Sequence, residues 1–277
     1  MAAALILVFL FVLYLLMLRG RTGHKDLPEF SHYAYAHRGL YGGAIPENSL
    51  AAFQSAFNAG FGIEFDLHLL KDGNIGILHD SSLMRMTGKE GYLEDLTTEA
   101  LSSCHLHGTP ETIPTFSQVL SLCGGRVPLI IELKSFHGNG DRLAETACRM
   151  LEGYQGLYCL ESFDPRCVRW LKENRPDLIR GQLSENFIKN DAYPIPWVLR
   201  FLAACQLETF WTRPDFIAHK FEDRRTLSNF LIRRLWRIQG VTWTVKSQEE
   251  YDQALKEGWI PIFEGFVPDK KPNTDTR

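Results

Sequence analysis

The chain of 277 residues is short of several things, and each shortage removes a class of protein. It has no surplus of basic residues. The 30 Lys and Arg against 33 Asp and Glu leave a formal charge of -3, which argues against a nucleic-acid partner. Its six cysteines, Cys104, Cys123, Cys148, Cys159, Cys167 and Cys205, show neither C-x-x-C nor Cys/His ligand spacing. A zinc module is therefore out, and a reduced compartment is the better reading than a disulfide framework. Internal repeats and low-complexity tracts are missing too, which excludes solenoids. The one long apolar run, Ala2 to Leu18, has no Lys or Arg before it and no small-x-small site after it, so a cleaved signal peptide fits poorly.

What is present begins with that run. Its length is close to what crosses a bilayer, and the positive charges follow it at Arg19, Arg21 and Lys25. The sequence thus predicts a transmembrane anchor over 2–18 and a polar linker over 19–32. By the positive-inside rule the protein would be a single-pass membrane protein with its main domain, 33–277, on the cytoplasmic side.

From Tyr33 onward, short β-branched and aromatic runs alternate with helical periodicity. Strands are expected near Tyr33–Ala36, Gly62–Leu67, Leu129–Leu133, Tyr158–Leu160, Ile179–Gln182, Phe216–Ala218, Val241–Val245 and Ile260–Phe263. Seven helical segments lie between them, from Ser49–Ala59 to Gln248–Glu257. Eight strands alternating with helices predict an α/β fold, and the count favours a (β/α)8 TIM barrel over an open doubly wound sheet. The polar residues His37, Glu64, Asp66, Glu132, Lys134, Glu161, Trp243 and Glu264 sit at or near strand carboxyl ends, where a barrel keeps its site. Ser81 to Pro114 is too long for an ordinary loop and reads as an insertion, about 81–114, covering the mouth.

The chemistry is concentrated in about forty residues. Ala36-His37-Arg38-Gly39, Pro46-Glu47-Asn48, Glu64-Phe65-Asp66 and His79-Asp80 supply the side chains that hold a divalent cation and move protons at a phosphodiester. Glu64 and Asp66 have strand spacing and share a face, with Ile63, Phe65 and Leu67 on the other. Asp72-Gly73 reads as a two-residue hairpin turn, and that turn would set His79 opposite Asp66. Glu132 follows the buried-looking Leu129-Ile130-Ile131, where an unpaired acid is costly, and Lys134 is as good a neutralising partner as a substrate ligand. His68 continues the Glu64 and Asp66 alternation and reads as a structural residue beneath the site. Trp243 reads as a substrate wall.

In that order, together with Lys71-Asp72-Gly73, Glu132-Leu133-Lys134, Glu161-Ser162-Phe163 and Trp243-Thr244-Val245, these motifs resemble the glycerophosphodiester phosphodiesterase family. The resemblance implies a TIM barrel with an insertion, one divalent cation and metal-assisted hydrolysis of a phosphodiester. Carried over motif by motif, Glu64, Asp66 and Glu132 resemble the metal ligands, with Mg²⁺ or Ca²⁺ suited to oxygen donors. His37 and His79 resemble the acid/base pair, Arg38 the phosphate clamp, and Glu47 a supporting residue. One departure falls at the last strand, where Glu264-Gly265-Phe266-Val267 replaces the family's pattern, so Glu264 is set aside as a site residue.

The expected substrates are glycerophosphodiesters, the deacylated phospholipids, giving an alcohol and sn-glycerol 3-phosphate. A single-chain lysophospholipid, as in a lysophospholipase D, is the alternative within the enzyme class, and a non-catalytic lipid-headgroup receptor the alternative outside it. Two further stretches suggest a membrane partner, the apolar Ile195 to Trp211 and the basic Arg233-Arg234-Leu235-Trp236-Arg237. The second reads better as the buried face of an outer helix.

Overall fold

A computed structural model describes residues 1–189 and 196–269. Nine strands form one sheet: β1 (Tyr35–His37), β2 (Gly62–Leu69), β3 (Ile75–Ile77), β4 (Leu129–Leu133), β5 (Tyr158–Ser162), β6 (Ile179–Ser184), β7 (Phe216–Lys220), β8 (Gln239–Val245) and β9 (Trp259–Phe263). All but β3 pair in parallel, and β1 bonds to both β2 and β9, so eight strands close on themselves. The barrel expected from the alternation is the one observed, and each of its eight strands overlaps the segment read for it.

The helices are α1 (Ala2–Met17), α2 (Leu27–Phe30), α3 (Leu50–Asn58), α4 (Met84–Thr87), α5 (Thr98–Leu101) and α6 (Phe116–Cys123), followed by α7 (Gly140–Met150), α8 (Pro165–Asn174), α9 (Trp197–Ala204), α10 (Thr209–Thr212), α11 (Leu227–Leu235) and α12 (Gln248–Lys256). Local chemistry starts the outer helices where the sequence suggests. Ser49, Thr226 and Ser247 each accept from the backbone N–H three residues on, and Thr115 forms a reciprocal cap with Gln118. Once started, each helix turns an apolar stripe to the sheet: α7 buries Leu143, Ala144, Ala147 and Cys148.

Two cores result. Outward-facing Ile63, Phe65, Leu67, Leu129 and Ile131 pack under the helices, while Tyr35, Ile130, Cys159, Ile179, Phe216 and Ile260 fill the barrel's lower interior. Large rings are admitted by glycines opposite them. A Cβ on Gly62 would sit 2.5 Å from the ring of Tyr35. That interior plug leaves the upper end of the barrel to the polar residues. All six cysteines are free thiols.

The hairpin after β2 departs from its expected register. Leu67 pairs with Ile77 and Leu69 with Ile75, one residue away from the pairing that would set His79 opposite Asp66. The cause is the loop, which holds three residues rather than two. Gly73 donates to Leu70 O, Leu70 donates to Asn74 O, and Gly73 takes the left-handed φ of 84° that ends such a turn. His79 therefore lies past the end of β3, in the loop that leads into the insertion. The insertion has its own small core of Leu70, Leu78, Leu83, Met86, Leu93, Leu101, Leu106 and Ile113.

The amino-terminal segment corrects the reading of a membrane span. Helix α1 has 16 residues, about 24 Å at 1.5 Å per residue, and no helix among the described residues is long and apolar enough to cross a membrane. Its last turn is spent on the barrel. Tyr14 OH donates to Cys205 O at 3.3 Å, Trp236 Nε1 donates to Leu15 O at 2.8 Å, and Leu18 is fully buried with Ile217, Ile232 and Ile238. The expected single-pass localisation is overturned, and the orientation argument built on it falls with it. The segment read as a linker is also docked: Arg21 clasps Asp215 at 2.5–2.6 Å and Leu178 O at 2.6 Å, and Phe30 packs on Tyr35.

Of the two stretches read as membrane candidates, Arg233 to Arg237 belongs to a packed helix end. Arg233 lies over the Trp259 ring and Trp236 reaches α1. The apolar stretch starting at Ile195 has its first residue outside the described ones. The rest of it forms α9 and α10, with Trp197, Leu199, Phe201, Phe210 and Trp211 exposed.

Candidate functional site

The mouth of the barrel is built around β2 and β4. Their parallel register sets Asp66 beside Glu132, and Glu64 lies two residues back on the same inward face. One carboxylate oxygen from each of Glu64, Asp66 and Glu132 lies within 4.8 Å of the others, and all three residues are buried. Such crowding has an electrostatic cost that shows in their protonation. Burial, then Asp66 and Glu132, push Glu64 well above the ordinary carboxylate range. Burial raises Glu132 to about 7 against the pull of Lys134. For Asp66 burial acts the same way but loses, because Lys134, His79, Arg38 and a hydrogen bond from Asn48 hold it well below its usual value. A site with one ionised acid and two reluctant ones is short of positive charge. The donor set is hard oxygen, and a divalent cation fits both the geometry and the deficit.

Lys134 supplies part of the missing charge. Its Nζ lies 2.8 Å from Glu132 and 3.1 Å from Asp66, the neutralising position that its place after β4 allowed. Glu161, one strand further round, is a fourth buried acid. Burial and Glu132 raise it well above its usual range.

The two histidines of the motifs line the same cavity as the acids. His37 ends β1 opposite Glu64, with its Nε2 3.9 Å from the Glu64 carboxylate. Its Nδ1 lies 2.6 Å from Glu264 Oε2, and Tyr41 OH donates to the same oxygen at 3.0 Å. Hydrogen bonding from His37 holds Glu264 down at about 2, so the carboxylate only accepts. The Nδ1 then carries the ring proton and the Nε2 keeps its lone pair. His79 repeats the arrangement, its Nδ1 2.6 Å from Asp80 Oδ1. Burial lowers both imidazoles, His79 to about 4.

Arg38 is placed by an unusual backbone. Its φ is 55°, which lets its N–H donate to Glu64 Oε2 at 3.0 Å while its carbonyl accepts from Asn48 N at 2.9 Å. Gly39 follows at φ 80°, against Ala52 of α3, where a Cβ would meet backbone at 2.8 Å. The His-Arg-Gly and Pro-Glu-Asn motifs are thus one local structure. Strain of this kind is concentrated where side chains must be aimed. The Arg38 guanidinium binds Glu47 at 2.8 Å and lies 3.7 Å from Asp66, and its Nε is buried without a hydrogen-bond partner.

The insertion contributes more than cover. Arg85 from α4 binds both Asp80 and, at 2.7 Å, Glu47. One charged chain therefore runs from His79 through Asp80, Arg85 and Glu47 to Arg38. His68 Nδ1 lies 2.6 Å from Glu94 Oε1, and His68 also lines the cavity. Trp243 stands edge-on to Phe163 with ring centres 5.6 Å apart, and both line the cavity.

Sequence reasoning named His37, His79, Arg38, Lys134, Trp243, Glu64, Asp66 and Glu132, and all eight line this cavity or hold a residue that does. Glu47, the ninth, joins Arg38 and Arg85. It missed Asp80 and Arg85 as a pair, and it set Glu264 aside. The signal for Asp80 was its place beside His79. For Glu264 the signal was its place at the carboxyl end of the last strand, but its contact joins residues 227 apart and its neighbours depart from the family pattern.

With that geometry in hand, comparison with known proteins gives one consistent answer. The sequence profile of the glycerophosphoryl diester phosphodiesterase family matches residues 37–267. A glycerophosphodiester phosphodiesterase of Caldanaerobacter subterraneus subsp. tengcongensis is 32% identical over 236 residues, 80% of this chain and 89% of that one. Glycerophosphodiester phosphodiesterase 1 of Bos taurus is 26% identical over 265 residues, 82% and 76% of the two chains. Among solved structures, an Oleispira antarctica phosphodiesterase in complex with the product sn-glycerol-3-phosphate has the same fold, with a TM-score of 0.69 at 22% identity, covering 88% of this chain and 95% of that one.

Proposed function

The chain belongs to the glycerophosphoryl diester phosphodiesterase family and is a phosphoric diester hydrolase, and from that premise we propose that it hydrolyses glycerophosphodiesters to sn-glycerol 3-phosphate and an alcohol with one divalent cation, Mg²⁺ or Ca²⁺. The observation that carries this reading is the trio of buried carboxylates flanked by two imidazoles, each tied through Nδ1 to a further carboxylate. A headgroup receptor has no use for two rings so held.

Glu64, Asp66 and Glu132 would hold the cation, which when bound polarises the phosphoryl group and lowers the pKa of the attacking hydroxyl. Arg38 would present its planar guanidinium to the non-bridging oxygens while Nη1 stays anchored on Glu47. Lys134 keeps Asp66 ionised and so keeps the trio fit for the metal. One imidazole takes the nucleophile's proton at Nε2. The other returns a proton to the leaving alkoxide, and the paired carboxylates Glu264 and Asp80 stabilise each ring in its charged state. Trp243 closes the wall beside the substrate.

The test is turnover of glycerophosphocholine by the full chain with Mg²⁺, Ca²⁺ or Mn²⁺, with products identified. Release of choline and sn-glycerol 3-phosphate is expected, and loss of that release on chelation. Absence of hydrolysis with every metal and every glycerophosphodiester would leave the reading without support.

A further inference from the structure

The insertion reaches the groups that do the chemistry through Arg85. Leu83 and Met86, on either side of it, are buried in the insertion's own core, 2% and 1% exposed. Their packing fixes the rotation of α4 and leaves Arg85 directed at the barrel mouth. There its Nε donates to Asp80 Oδ2 and its Nη2 to Glu47 Oε1 at 2.7 Å. Each of those carboxylates has a second partner in the site. Asp80 Oδ1 lies 2.6 Å from His79 Nδ1, and Glu47 Oε1 also accepts from Arg38 Nη1 at 2.8 Å.

Arg85 also keeps both acids in the state these contacts need. Burial pushes Asp80 up, yet it ends below its usual value, and the hydrogen bond from Arg85 leads the contacts that bring it down. Glu47 shows the same balance, with burial opposed first by the hydrogen bond from Arg85. The Arg85 side chain is itself 43% exposed, and exposed ion pairs add little to stability. A residue that gives the fold little, yet holds the partners of both an imidazole and the phosphate clamp, is placed to aim them. Guanidinium suits the task, because its planar array of N–H groups holds two carboxylates in fixed directions where an ammonium would not.

We propose that Arg85 is a positioning residue for the hydrolysis, carried by the insertion: through Asp80 it sets the ring of His79, and through Glu47 it sets the guanidinium of Arg38. The proposal rests on the hydrolase reading above and gives the insertion a part in turnover as well as in cover. A ring held at Nδ1 by a fixed carboxylate points its Nε2 in one direction, which is what proton transfer to or from a bound ester requires. Because one side chain joins the two branches, the imidazole and the phosphate clamp are aimed together when α4 docks.

The experiment measures kcat and KM for glycerophosphocholine, with thermal unfolding in parallel, for the full chain and for Arg85→Ala, Arg85→Lys, Asp80→Asn, Lys89→Ala and the pair Arg85→Ala with Asp80→Asn. Arg85→Ala should lower kcat about 10–100-fold through His79, the scale on which a displaced catalytic group costs rate, and raise KM through Arg38, with the melting temperature little moved. Arg85→Lys keeps the charge but not the planar geometry and should recover little of the loss. Lys89 donates to Ser103 O at 2.7 Å elsewhere in the insertion, so Lys89→Ala reports loosening of the insertion alone and should leave kcat as it was. The double variant should lose far less kcat than the product of the two single losses, since both act on one ring. Full turnover by Arg85→Ala, full recovery by Arg85→Lys, an equal loss in Lys89→Ala or losses in kcat that multiply would each overturn the positioning role while the hydrolase reading stands. An unsubstituted chain that hydrolyses no glycerophosphodiester overturns both.

Discussion

The two halves of the barrel mouth are made by opposite means. On the β1, β2 and β4 side nearly every side chain is fixed by hydrogen bonds. His37 is held by Glu264, His79 by Asp80, Asp66 by Asn48 and Glu47 by two arginines. On the β6, β7 and β8 side the rings of Phe163, Phe187 and Trp243 pack on one another and share the lining with charged Glu185, Lys220, Glu222 and Lys246. Hydrogen bonds aim a side chain in one direction, whereas apolar packing only decides what is excluded from water. The first half is therefore suited to position reacting atoms.

Substitutions can break this contrast, and the largest effect should come from the imidazoles. His37→Ala and His79→Ala should each lower kcat about 10²–10⁴-fold with the melting temperature little changed, as measured by steady-state turnover and thermal unfolding. Asp66→Ala should hurt twice. It removes a metal donor, and it takes away one of the two carboxylates that face Lys134, so metal affinity as well as turnover should fall in a metal titration while Lys134 keeps Glu132 at 2.8 Å. Glu264→Gln tests whether the β9 carboxylate positions His37. About 10–100-fold should be lost in kcat with KM retained, and the pH profile of kcat should shift, which a purely structural role would not cause.

A smaller effect sharpens the contrast from the apolar half. His219, on β7, is buried and lowered to about 4, chiefly by burial, and its Nε2 has no partner. The unfolded chain takes up this proton near pH 6.5 and the folded chain only near 4. The stability it contributes is therefore complete above pH 6.5 and falls as the pH drops toward 4, by up to about 3 kcal/mol. His219→Gln should flatten that part of the stability profile without altering turnover at pH 7.5.

The fold and the polar half were legible in the sequence because both rest on short-range pattern. Strand runs alternate with helical stripes, and Glu64 and Asp66 share a face whatever surrounds them. The departures came where distance in sequence mattered. Glu264 was set aside because its neighbours depart from the family pattern, yet it reaches His37 across the closure of β9 on β1. The hairpin register moved by one residue because Lys71, Asp72 and Gly73 together close the turn, one residue more than the Asp-Gly pair alone.

The amino-terminal run teaches the same lesson from hydrophobicity. Apolar residues from Ala2 to Leu18 look the same whether the end of the run enters lipid or a protein core. The helix ends at Met17, and Tyr14, Leu15 and Leu18 contact the end of α9, β7 and the α11 end. By itself the sequence determined which residues alternate, which turn and which can ionise, because those properties belong to single residues and their near neighbours. Tertiary structure alone decided which charges meet, which apolar faces stay bare and how far a helix runs, because each depends on what another part of the chain brings within a few ångströms.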